Sequence, residues 1–87
     1  MIKQYDMKPY ISLSHDNKLY GKLSSSVKRD EVIYKFLFDN SRDYICLKKK
    51  NDQWVFAGGM KSPNEFWISE LGTQIEQYEQ SHLSRQA

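Results

Sequence analysis

The chain has one cysteine, two histidines and no long apolar run, and each scarcity removes a class of protein. A single thiol, Cys46, cannot build an intramolecular disulfide framework. It stands in YICLK, an apolar strand-like run, where a cysteine is expected to pack rather than react. The histidines, His15 and His82, come without Cys-x-x-Cys or His-x-x-x-His spacing, so no metal and no cofactor is expected. No stretch approaches the roughly 18 apolar residues of a membrane span. The amino terminus MIKQYDMKPYISLSH lacks the apolar run of a signal peptide, and a cytoplasmic protein is expected.

Catalytic patterns are equally thin. Serines are abundant, but none stands in a nucleophile-elbow motif. Gly58–Gly59 lacks the Lys-Ser or Lys-Thr partner of a phosphate loop. No catalytic residue is assigned, and an enzyme, degenerate or otherwise, is only the last of three readings.

What the chain does have is aromatic and basic. Its 87 residues make one domain, 1–87, with 14% aromatic residues, too apolar for a disordered chain. The formal net charge of +2 is uneven: residues 1–61 carry +5 and residues 62–87 carry −3. A basic region beside an acidic tail suits a polyanion or a partner of mixed charge.

Hydrophobic periodicity divides the chain. Residues 1–8 form a lead-in or edge strand. Period-2 runs over 9–14, 18–23, 31–38, 43–50 and 53–57 predict five short strands, with SSSVKRD at 24–30 read as a loop and Asn51–Asp52 as a hairpin turn. The period then lengthens. Trp67, Ile68, Leu71, Ile75, Tyr78 and His82 share one helical stripe, which predicts a helix over 62–80 and a frayed tail over 81–87. Ser62, Pro63 and Glu65 fit the N-cap, N1 and N3 positions of a capping box. Gly72, costly inside a helix, is expected either to let the helix lie close to the sheet or to mark a bend. The fold class is therefore α+β: a five-stranded antiparallel meander at 9–57, curled into a partial barrel if its ring-rich face is to be buried, followed by one C-terminal helix on one face.

The stretch WVFAGG, followed by Glu65, resembles the opening of the Nudix hydrolase box, with Gly59 and Glu65 at the required spacing. That resemblance implies a magnesium-dependent diphosphate hydrolase. The rest of the box departs from it. Thr73 stands where the arginine belongs, and Gln77 and Tyr78 stand where two metal-binding carboxylates belong. Neither side chain supplies the hard anionic oxygen that magnesium requires. A meander followed by a helix is also similar in outline to single-strand-binding transcriptional coactivators, which implies a nucleic-acid-binding sheet.

Sorted by residue type, one strand parity collects Ile11, Leu13, Leu19, Leu23, Ile33, Leu37, Ile45, Leu47 and Val55 as a bed for the helix. The other collects Tyr10, Tyr20, Tyr34, Phe36, Phe38, Tyr44, Trp54 and Phe56, interleaved with Lys18, Lys22, Lys48 and Lys50. One helix covers one face, so the ring-rich side is the expected interface. Its candidate residues are Tyr20, Tyr34, Phe36, Tyr44, Trp54 and Phe56 as anchors, with Lys22, Lys48 and Lys50 as the rim. The expected function is a small non-enzymatic protein-binding module acting by occlusion, as inhibitor, regulator or adaptor of the kind phages and mobile elements encode, or an assembly subunit. Its partner is a protein, or a second copy in a homodimer. Single-stranded nucleic acid is the alternative, disfavoured by the aspartates in the turns.

Overall fold

Two short turns set the register of the sheet. The computed structural model describes residues 2–59 and 65–86. Within it, Arg29–Asp30 and Asn51–Asp52 each place two consecutive residues at positive φ, 54° and 66° in the first pair, 53° and 64° in the second. That is the type I′ geometry whose twist matches a right-handed hairpin. The strands it joins are part of the order β1 (Ile2–Gln4), β2 (Tyr10–Ser14), β3 (Asn17–Lys28), β4 (Glu31–Phe38), β5 (Tyr44–Lys50) and β6 (Gln53–Gly59), followed by α1 (Glu65–Gln86).

The architecture is α+β, as the periodicity predicts: antiparallel strands curl into a half-barrel and one C-terminal helix follows. The order across the sheet is β1-β3-β4-β5-β6, and β2 also pairs with β3. The long β3 carries β2 along residues 17–20 and β1 along residues 24–26. Between them, Tyr5 N–H donates to Leu23 O at 3.2 Å and Gly21 N–H donates to Pro9 O at 3.1 Å, so the intervening chain stays stitched to the same edge.

Two boundaries differ from the sequence reading. The serines at 24–26 belong to β3 rather than to a loop, because alternate positions there still serve a buried face: Ser25 is 7% exposed and pairs with Tyr34. The helix continues through Gln86, past the end expected at residue 80. Residues 2–4 form β1, the edge-strand alternative for the lead-in. The capping box at Ser62 and Pro63 lies outside the described residues.

The half-barrel closes around one core. Ile11, Leu23, Tyr34, Phe36, Phe38, Ile45 and Leu47 from the strands meet Ile68, Leu71 and Ile75 from the helix. Phe36 and Phe38 meet edge-on, with ring centroids 4.9 Å apart, a favoured geometry for paired rings. Gly21 admits the Phe36 ring: a Cβ there would stand 2.6 Å from Phe36 Cζ. Gly72 does the same for Trp54, whose Cδ1 would be 2.3 Å from a Cβ. The helix can approach β6 only because that side chain is missing.

Polar contacts then fix the helix along its length. The Gln74 side chain accepts from Tyr10 N–H at 3.0 Å and donates to Tyr10 O at 2.8 Å, acting as one rung of a strand. Glu70 accepts from Ser12 N–H at 2.6 Å. The free edge of β2 is thereby capped by the helix. Deeper in, Glu79 accepts from the Tyr34 hydroxyl at 2.8 Å and from the Tyr5 hydroxyl at 3.4 Å. Burial, then the bond to Glu79, pushes the Tyr34 phenol well above its ordinary range, so it stays a donor. Glu76 accepts from Trp54 Nε1 at 3.0 Å and from Lys49 Nζ at 2.6 Å.

Candidate protein-binding face

The register decides which side chains share a surface, and it corrects the face assignment made by residue type. Across a two-residue turn, opposed residues have position numbers of unlike parity. Leu23 therefore opposes Phe36, and Ser25 opposes Tyr34. The next two hairpins repeat the switch: Phe36 opposes Ile45, and Lys49 opposes Trp54. Side chains alternate faces along each strand. Tyr34, Phe36, Phe38 and Trp54 thus join Leu23, Ile45 and Leu47 on the concave, helix-covered face. Ile33, Leu37 and Val55 lie on the other.

The nine candidate residues separate into three groups. Tyr34 and Phe36, 8% and 0% exposed, are core residues; the expectation that they form a surface is overturned by this register. Trp54 is half-buried, wedged against Gly72 and bonded to Glu76, and it meets the Tyr34 ring edge-on at 5.3 Å. Phe56 sits nearby at the rim of β6, 42% exposed. Tyr20, Tyr44, Lys22, Lys48 and Lys50 do share one surface, the helix-free face. The aromatic candidates were therefore one expectation but are two regions.

The helix-free face is basic. At its strand positions stand Lys18, Lys22 and Lys28 from β3, Lys35 from β4, and Lys48 and Lys50 from β5, with Glu31 as the one carboxylate. Lys48 bonds that glutamate at 3.0 Å, which leaves the other five lysines without an anion at a strand position of this face. Every glutamate of the helix (Glu65, Glu70, Glu76 and Glu79) is on the opposite side of the sheet. The modest net charge of the chain conceals this segregation.

Between the lysines runs an apolar strip. Leu37 is 37% exposed and is opposed across the strands by Lys22 on one side and Tyr44 on the other. Tyr20 is 46% exposed and packs against Tyr10, with ring centroids 5.8 Å apart. Lysine ammonium groups sit over two rings: Lys18 over Tyr10 at 4.5 Å and Lys35 over Tyr44 at 4.7 Å. Each such cation–π contact occupies one face of its ring. Cys46 lies between Lys35 and the β6 edge, half-buried, and burial pushes its thiol pKa up, which keeps it a poor nucleophile.

Sequence reasoning missed Lys35, Leu37, Ile33 and Val55 on this face. A signal was present. Had Arg29–Asp30 been taken as the turn, the pairing of Lys28 with Glu31 would have followed, and with it the face of every residue in β4. Neither a family model, nor a curated protein, nor a solved structure matches this chain, so its function is argued from this geometry. No described helix is long and apolar enough to cross a membrane.

Proposed function

We propose that the chain is a cytoplasmic protein-binding module whose helix-free sheet face docks on an acidic surface of a larger protein and acts by occluding it. The observation that carries this reading is charge segregation: six lysines and one glutamate around an apolar strip on one face, with the helix carboxylates on the other side. Tyr20, Leu37 and Tyr44 supply the desolvated centre, and Lys18, Lys22, Lys35 and Lys50 steer the encounter. No chemical step is involved.

A protein fits this face better than single-stranded nucleic acid. Base stacking requires open ring faces. Here Tyr10 and Tyr44 each carry a lysine over the ring, and the central side chain is Leu37, which offers a base no π surface. Isotope-quantified capture from cells of the source organism tests the proposal, with Lys22→Glu plus Lys35→Glu compared against wild type. An exposed helix change, Gln77→Glu, serves as the control. The expected result is a protein retained by wild type and by the control but lost from the double variant. Retention by all three baits contradicts the proposal. Displacement of that protein by ten-residue oligo-dT would favour nucleic acid instead.

A further inference from the structure

Among the described residues the sheet has a second open region that the helix-free face does not use: the outer edge of β6. In a type I′ hairpin the residues flanking the turn form a hydrogen-bonded pair, so Gln53 and Val55 bond inward to β5. By alternation, Trp54 and Phe56 turn their backbone N–H and C=O groups to the free edge. At β2 the N–H and C=O of Tyr10 are taken by Gln74 and the N–H of Ser12 by Glu70. Among the described residues no helix side chain does this for β6.

Over its first residues the edge also lacks two usual devices against strand pairing, proline and charge. Residues 53–57 contain no proline and no charged side chain. The sheet irregularity at Cys46/Leu47 falls beyond Phe56, so the segment from Gln53 to Phe56 pairs regularly with β5. Between this edge and the first turns of α1 lies a cleft of about 690 Å³. Trp54, Phe56 and Ile68 give it an apolar wall, and Asp52 and Glu65 bring two carboxylates to it. No basic side chain lines it among the described residues. Lys49, which opposes Trp54 in β5, is held by Glu76.

We infer that the cleft between β6 and α1 takes an extended basic–apolar segment of another protein by strand addition. Main-chain bonds would form with Trp54 and Phe56, and the side chains on the helix side of the added strand would be apolar against Phe56 and Ile68 and basic, a lysine or arginine, toward Asp52 and Glu65. The inference uses neither the lysines nor the tyrosines of the helix-free face. The two sites call for ligands of opposite charge, so each can fail without the other.

Titration of the 15N-labelled chain with acetyl-(Thr-Val)3-Thr-Lys-amide, whose lysine shares the valine face, tests it, with acetyl-(Thr-Val)3-Thr-Glu-amide as the opposite-charge probe. The expected result is saturable shifts at the Trp54 and Phe56 amides with the lysine peptide only. Neutralising both carboxylates, Asp52→Asn with Glu65→Gln, should weaken binding about fivefold or more, the sum of two exposed charge pairs. Asparagine is chosen because position 52 has positive φ. Lys22→Glu should leave the affinity unchanged. A peptide with proline at its central valine should not bind. Absence of a saturable shift, shifts confined to Lys22, Lys35 and Tyr44, or equal binding of both peptides would overturn the proposal. So would sedimentation of the free chain as a dimer whose Phe56 amide is already protected, since a second copy would then own the edge.

Discussion

The concave face of the sheet commits its aromatic rings to its own helix, whereas the helix-free face keeps fewer rings and surrounds them with lysine. Neighbours in one strand show the contrast. Phe36 is wholly buried, yet Leu37 beside it is 37% exposed. Exposure here follows strand register rather than hydrophobicity. The concave face carries stability, and the other face is free to carry recognition.

The largest break in this comparison should come from Phe36→Ala. Loss of a buried ring typically costs about 3–5 kcal/mol, a large share of the roughly 5–15 kcal/mol that holds a small domain together. Leu37→Ala should shift stability by only about 0.5 kcal/mol, as surface substitutions do. Urea denaturation of both variants reads the difference directly, and similar losses would mean that the faces are misassigned.

Next in size is Gly72→Ala. Alanine favours an isolated helix by about 1 kcal/mol. Here its methyl would meet the Trp54 ring, and overpacking costs about 1–3 kcal/mol, so the change should destabilise. In a double-mutant cycle with Trp54→Ala the penalty should largely vanish, since the clashing ring is gone.

A smaller effect separates the buried phenol from exposed ones. Tyr34 ionises above its ordinary value of 10.0 in the fold, so the stability it contributes is complete below pH 10 and is lost as pH rises toward the folded value. Thermal midpoints of the wild type should therefore fall more steeply above pH 10 than those of Tyr34→Phe. At neutral pH the Phe variant should cost about 1.5 kcal/mol, the low end for a hydrogen bond to a carboxylate, here Glu79.

The smallest effect lies at Glu76. Lys49, then Trp54, hold its carboxyl below the ordinary 4.5. Its contribution is present above pH 4.5 and fades as pH falls through the lower folded value. Glu76→Gln should slightly flatten the acid limb of the stability profile, read as thermal midpoint against pH.

Much of the fold was legible. Period-2 runs located the strands, and the stripe from Ile68 through Leu71 to Ile75 located the helix that seals the core. Gly72 was open to two readings, a close approach or a bend, and the Trp54 ring against it decides for the close approach. Face identity was less readable. Taking SSSVKRD whole as a loop hid the two-residue turn at Arg29–Asp30, and without it β4 had no register. Sorting by residue type then placed Tyr34 and Phe36 at the surface and left Leu37 and Lys35 out of the candidate site. The capping of β2 by Gln74 and Glu70 depends on contacts across 58 to 64 positions of chain, and no local pattern announces it.

The role assigned to the helix-free face is tested most directly by calorimetric titration of the captured partner with wild-type chain and with the Lys22→Glu, Lys35→Glu variant, after circular dichroism shows both folded. The account predicts that the double charge reversal weakens binding at least about tenfold, the effect of roughly 1.4 kcal/mol, and that added salt weakens the wild type toward the variant. Equal affinities for the two chains would contradict it.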